Sequence, residues 1–223
     1  MEVTIKTNIL GSNDQLAAQN KETFEQAGIT AINIMGSPGA GKTTLLERTL
    51  ERLKDRLRVG VIEGDIYTAK DAERIEAHGV PVYQINTGGS CHLDAQMIQK
   101  ALPHFKLTEL DLMIIENVGN LVCPVEFSLG EEHKVAVLSI IEGDDKPLKY
   151  PLIFKESTVV VLNKMDLLDF CDVNLANMKR DIFSINPEIK IFEISSRQQT
   201  GLEQWVEWLL TIGKKGKKKL LSN

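Results

Sequence analysis

The chain has 223 residues, 43% hydrophobic and 26% charged, which is enough apolar surface for one folded domain and excludes disorder as the main state. Its 26 basic and 31 acidic residues leave a net charge of −5, which argues against nucleic acid as the main partner. No apolar run reaches the roughly 18–20 residues of a membrane span, and the start MEVTIKTNIL lacks a basic n-region and a continuous apolar h-region, so no membrane partner, no signal peptide and a cytoplasmic address are expected.

The first expected element is an amphipathic helix over Asn13–Ala27, capped by Ser12 or Asn13 and broken by Gly28. Leu16, Ala17, Phe24 and Ala27 fall roughly on one face. Strands are then expected at Ala31–Met35, Val59–Ile62, Val80–Ile85, Leu112–Ile115, Val135–Ile141, Val159–Leu162 and Ile189–Ile194. Helices are expected between most of them, at Lys42–Leu57, Ala69–His78, Leu93–Phe105, Val173–Asn186 and Gly201–Ile212. Short runs apolar on both faces, bridged by helices, read as an α/β fold: a doubly wound, mostly parallel, seven-stranded sheet with right-handed crossovers. Ligands then belong beyond the carboxyl ends of the strands. GKKGKKK, from Gly213 to Lys219, reads as a solvated tail. The expected organisation is a helical extension over 1–28, a main domain over 29–213 and a basic flexible tail over 214–223.

Gly36-Ser37-Pro38-Gly39-Ala40-Gly41-Lys42-Thr43, with Thr44 next, fits G-x-x-x-x-G-K-[ST] between an expected strand and an expected helix. The glycines let backbone N–H groups approach phosphate oxygens, and the helix N-terminus adds positive potential. Lys42 would bridge the β- and γ-phosphates, and Thr43 would offer its hydroxyl to Mg²⁺. Asn163-Lys164-Met165-Asp166 follows the strand VVVL. A carboxylate there accepts from guanine N1–H and N2–H₂, which adenine cannot supply, and the Lys164 stem can lie along the purine. Ser195-Ser196-Arg197 follows the last strand, where backbone amides can meet the guanine oxygen. The main domain is thus expected to be a P-loop GTPase.

Two strand ends carry acids, in Glu63-Gly64-Asp65 and in Glu116-Asn117. Such carboxylates can reach Mg²⁺ and the attacking water. Glu63 and Asp65 are expected on opposite faces, with Asp65 the one facing the site. The catalytic set is therefore Lys42, Asp65 and Glu116, and the Mg²⁺ set is Thr43, Asp65 and Glu116.

Three cysteines, Cys91, Cys123 and Cys171, do not make a disulfide framework. Cys91-His92 is expected to start a helix, and Cys123-Pro124 lies seven residues past Glu116. Thiolates and imidazole suit Zn²⁺ or Ni²⁺, but spacing alone also allows buried small cysteines. Three ligands leave a tetrahedral site one short, a gap that water or a second chain can fill. Cys171 has no partner nearby in the sequence.

GSPGAGKT, VIEGDI, TGGSCH, ENVGNLVCP, EGDDKPLKYP, NKMD and SSR together resemble HypB, the family of hydrogenase nickel-incorporation GTPases, P-loop proteins of the SIMIBI class. The resemblance runs from the phosphate loop to the last helix. The urease accessory GTPase also has a Cys-Pro pair in its switch region but is less similar around Cys91. The resemblance implies a Mg²⁺-dependent, metal-regulated GTPase that forms a GTP-dependent homodimer. It also implies delivery of nickel to the [NiFe]-hydrogenase large-subunit precursor with a nickel chaperone partner. The family's Ni²⁺ or Zn²⁺ ligands match Cys91, His92 and Cys123. Some members carry an N-terminal cysteine motif or histidine-rich stretch, whereas the first 77 residues here contain neither Cys nor His, so only the G-domain metal site is implied. Lys146 or Lys149 would reach nucleotide across such a dimer. The competing readings are a urease-type nickel GTPase, a metal-binding interaction protein with structural nucleotide, and an ATP-dependent small-molecule kinase, which NKMD disfavours. No arginine finger stands out among the motifs, so slow turnover is expected.

Overall fold

Alternation with a period of two governs the sheet, because successive strand side chains point to opposite faces. In a computed structural model, which describes residues 2–66 and 70–221, Leu112 and Ile114 pack into one core and Met113 and Ile115 into another. Val159 and Val161 likewise face away from Val160 and Leu162. Both faces are therefore covered, as an all-parallel sheet requires.

In chain order the elements are α1 (Glu2–Ala27), β1 (Thr30–Gly36), α2 (Lys42–Leu53), β2 (Val59–Asp65), α3 (Lys70–Glu76), β3 (Val82–Asn86) and α4 (Ala95–Ala101). They continue with β4 (Leu112–Glu116), α5 (Cys123–Glu126), β5 (His133–Ser139), α6 (Lys146–Lys149), α7 (Pro151–Glu156), β6 (Val159–Asn163), α8 (Leu175–Ile185), β7 (Lys190–Glu193) and α9 (Leu202–Leu221). The seven strands are all parallel, in the order β3-β2-β4-β1-β5-β6-β7. The fold class expected from the sequence is the one found. Residues of α2 and α9, Leu45, Leu46, Trp205 and Leu209 among them, pack against one face. Opposite lie residues of α1 and α4, such as Phe24 and Ile98, and residues of α7 and α8, such as Phe154 and Met178. Among the described residues no helix is long and apolar enough to cross a membrane.

Several boundaries differ from the sequence reading. Helix α2 stops at Leu53, because Lys54 turns extended and Asp55 adopts φ 63°. Helix α4 begins at Ala95, where Asp94 Oδ1 accepts from Met97 N at 2.8 Å, and tightens to a 3-10 turn at Leu102–His104 around Pro103. β5 starts at His133 and ends at Ser139, followed by a 3-10 turn at Ile140–Glu142. α9 does not end at Ile212 but runs through GKKGKKK to Leu221.

Candidate functional site

Beyond the carboxyl ends of β1, β2 and β4 lies a cleft of about 530 Å³, lined by Gly39, Gly41, Lys42, Thr43, Glu63, Asp65 and Glu116, among others. The loop between β1 and α2 turns where its glycines permit. Gly39 and Gly41 have φ 78° and 91°, conformations that L side chains avoid. A Cβ on Gly41 would stand 2.5 Å from Asn163 Nδ2. Lys42 Nζ donates to Gly36 O at 3.3 Å and Ser37 O at 3.4 Å. Ala40 is buried beneath the loop, and Ser37 is engaged away from the cleft, donating to Glu142 Oε2 at 2.6 Å.

A second cleft of about 410 Å³ adjoins the first, since Gly41, Thr44 and Lys164 line both. Arg48, Asn163, Asp166, Leu167, Ser196 and Arg197 complete its wall. Asn163 pins this corner together. Its Nδ2 donates to Ala40 O at 3.0 Å, while Oδ1 accepts from Lys164 N, Ser196 N and Ser196 Oγ at 2.8–3.2 Å. Lys164, at φ 62°, sends Nζ to Gly39 O at 2.6 Å, so its stem spans the two clefts. The Ser195–Arg197 segment differs from its expected use. The Ser195 amide pairs with Thr200 O and the Ser196 amide with Asn163, so neither is free for a base. Ser195 lies below the wall, and its hydroxyl donates to Asp166 Oδ1 at 2.5 Å, fixing the carboxylate.

The acids bring a correction. Residues two apart on a strand share a face. Glu63 and Asp65 accordingly line the same cleft, so the expected split between faces does not occur. Register places Glu63 directly beside Glu116 on the neighbouring strand. Both carboxyls are buried, and both are pushed above the ordinary carboxylate range by desolvation. The adjacent Glu116 charge adds to the shift at Glu63, whereas Lys42 and Thr43 oppose it at Glu116. Thr43 Oγ1 donates to Glu116 Oε1 at 2.9 Å. Oε2 of each glutamate is buried without a hydrogen-bond partner among the described residues. Hard oxygens left in that state beside a threonine hydroxyl fit a divalent cation of the Mg²⁺ type. Glu63 was left out of the expected site by that supposed split, although the two-residue period of a strand already puts it on the same face as Asp65.

Cys91, His92 and Cys123 offer ligand atoms that all lie within 4.8 Å of one another, the cluster of this kind found among the described residues. Cys91 and His92 precede α4 by a short turn rather than starting it, and that turn lets adjacent residues converge. Cys91 Sγ stands 3.7 Å from His92 Nδ1, and His92 stacks on Phe127 at 3.9 Å between centroids. Burial lowers the His92 pKa despite Asp94 and Glu126, which favours the neutral ligand form. The Cys91 neighbour, with some burial, raises the Cys123 thiol. Soft sulfur with imidazole fits Ni²⁺ or Zn²⁺. Cys171 ends a 3-10 turn apart from this cluster.

Two asparagines absent from the expected set tie this cluster to the nucleotide side. Asn117 Oδ1 accepts from Leu93 N at 3.0 Å, next to His92. Asn120 N donates to Gly36 O at 2.9 Å, and its Nδ2 reaches Cys91 O at 3.4 Å. Gly119 lies against the phosphate loop so closely that a Cβ would meet Pro38 at 3.0 Å. Lys146 lies over the Tyr150 ring and Lys149 pairs with Asp145; neither lines the two clefts.

Residues 30–193 match the family model of the CobW/HypB/UreG nucleotide-binding domain. The hydrogenase maturation factor HypB of Escherichia coli strain K12 is 48% identical over 207 residues, which cover 93% of this chain and 71% of that protein. The probable HypB of Methanocaldococcus jannaschii is 40% identical, covering 92% of this chain and 93% of that one. Among solved structures, HypB from Helicobacter pylori in complex with nickel has a TM-score of 0.87 at 40% identity, covering 91% of this chain and 95% of its own. HypB from Archaeoglobus fulgidus has a TM-score of 0.85 at 41% identity, covering 91% and 99%. Sequence and fold agree across nearly the whole chain, which belongs to the CobW/HypB/UreG family, on its HypB side.

Proposed function

We propose that the chain is a GTPase that times nickel delivery to a [NiFe]-hydrogenase precursor, acting with a nickel chaperone and as a GTP-dependent homodimer. The names of its relatives, and the nickel complex of one of them, support the maturation role. The observation that carries the coupling is the loop from Glu116 to Cys123. It begins in the cleft beside Lys42, hydrogen-bonds the loop between β1 and α2 through Asn120, and ends at Cys123 of the Cys91–His92–Cys123 cluster.

GTP would lie across the joined clefts, with Asp166 accepting from guanine and Lys42 exchanging its loop carbonyls for phosphate oxygens. Thr43, Glu63, Asp65 and Glu116 would hold Mg²⁺, which when bound offsets charge on the β- and γ-phosphates. In hydrolysis, water attacks the γ-phosphorus as the bond to the β-bridging oxygen breaks, giving GDP and phosphate. A cleft carboxylate orients the water. Cys91, His92 and Cys123 would hold Ni²⁺ or Zn²⁺, with a fourth ligand from water or a second chain.

If nucleotide moves the loop, metal and nucleotide must alter each other's affinity by the same factor. Metal titration of the GTP-analogue and GDP forms tests this, with Cys123→Ala alongside. Different affinities in the two forms are expected; equal ones overturn the coupling, and parent-like binding by Cys123→Ala overturns the site.

A further inference from the structure

Helix α1 buries two asparagines. Asn13 is 5% exposed and Asn20 is 1% exposed. Seven residues apart, they share one stripe with Ala17 and Phe24. An amide placed among apolar neighbours costs stability unless it is fully used, and leucine would serve packing better. Here both amides serve the same purpose, Asn13 through both of its polar atoms and Asn20 through Nδ2 alone, its Oδ1 being buried without a hydrogen-bond partner among the described residues. Asn13 Oδ1 accepts from Ala95 N at 2.9 Å, and its Nδ2 donates to Ser128 O at 2.9 Å. Asn20 Nδ2 donates to Ala95 O at 2.8 Å and to Leu129 O at 3.1 Å. Each side chain therefore joins one segment that begins at Cys91-His92 to another that begins at Cys123. Gly130 supplies an independent sign of close docking. At φ 96°, a Cβ there would stand 2.7 Å from Ala17 O and from Asn20 Cβ, so the second segment runs directly against the helix.

We infer that α1 is a brace for the metal cluster, with Asn13 and Asn20 as positioning residues that set the distance between the Cys91-His92 turn and Cys123. The inference rests on reading that cluster as a metal site. Thiolates at about 2.3 Å from a tetrahedral ion lie roughly 3.8 Å apart. Ligand atoms already within 4.8 Å need only a small contraction, provided neither segment drifts. The brace meets each segment a few residues beyond its ligand, which fixes the backbone and leaves the ligands themselves free to adjust.

The test titrates the full chain with Ni²⁺ and with Zn²⁺, following the thiolate-to-Ni²⁺ charge-transfer band and measuring GDP affinity in parallel. Asn20→Ala removes one bridge. Asn13→Asp keeps an acceptor for the Ala95 amide and loses the donor to Ser128, so it cuts the other bridge without changing side-chain size. Phe24→Leu loosens α1 without touching either bridge. Each asparagine variant is expected to bind metal about 10-fold more weakly with an altered band, as for lost supporting contacts at metal sites. GDP affinity throughout, and metal affinity in Phe24→Leu, should stay within about 2-fold of the parent. Parent-like metal binding in both asparagine variants overturns the brace, as does an equal loss in Phe24→Leu. Cys123→Ala separates the two layers: if it binds metal like the parent, the cluster reading itself fails.

Discussion

Glu116 and Cys123 stand at the two ends of one loop and are held in opposite ways. Glu116 is buried at a strand end, beside Glu63, with Thr43 on one oxygen. Its surroundings are rigid sheet and phosphate loop, and its oxygens are hard. Cys123 is partly exposed, follows a half-exposed Val122 and faces sulfur and a stacked imidazole. On the function proposed above, the difference would separate a resident ion from cargo. Two buried carboxyls side by side ionise together only at a cost that a cation would offset, so a cation there would belong to the working site. The open end would let a metal be taken up and passed on.

The largest break in this comparison is expected at the buried end. Glu116→Gln and Glu63→Gln should each lower single-turnover GTP hydrolysis by roughly 10²- to 10³-fold, the scale of a lost preorganised charge. Parent-like rates in both would show that the carboxylate pair does not serve the phosphates. At the open end, Cys123→Ala should weaken Ni²⁺ binding by at least about 100-fold, at or beyond the upper end for a supporting contact, because a ligand itself is removed. Metal-free GDP affinity, measured by calorimetry, should be unchanged in that variant. At the base end, Asp166→Asn should lower GTP affinity by roughly 10- to 100-fold, since hydrogen bonds to a charged group are worth about 1.5–3 kcal/mol. Xanthine nucleotide should gain, as the amide donor fits its carbonyl; undiminished GTP preference in competition binding would refute that role.

The smallest effect is in pH. With its pKa lowered, His92 is already neutral near pH 7 and releases no proton to a metal. Cys123, raised, must lose one. Each thiol proton released makes the apparent metal affinity rise by about 10-fold per pH unit below the thiol pKa. Affinity should therefore keep climbing from pH 7 to 8, where imidazole alone would level off. A plateau above pH 7 would assign the dependence to His92 instead.

Much of this was legible in local pattern. The both-face apolar runs, such as Leu112–Ile115, gave the sheet, and G-x-x-x-x-G-K-T and N-K-M-D gave the clefts, because each motif acts where it lies in the chain. What escaped depends on distant chain. Glu63 is the exception, lost to a local misreading of strand faces, since residues two apart share one; register adds only its pairing with Glu116. Asn13 reads locally as a helix cap, yet its partners lie 82 and 115 residues away. Ser195 reads as a base-contacting amide, but a 29-residue separation brings its hydroxyl behind Asp166 instead. The short helix α7 has too few residues for its period to show.

The docking of α9 has a consequence for synthesis. Thr30 Oγ1, at the root of the strand that leads into the phosphate loop, donates to Ile212 O at 2.9 Å, and Thr49 in α2 receives Trp205 Nε1 at 2.9 Å. Both partners are made more than 150 residues later. A nascent chain on the ribosome thus makes its phosphate loop before the helix that packs against both β1 and α2. Final packing of the strand and helix that carry this loop therefore waits for the last helix to emerge.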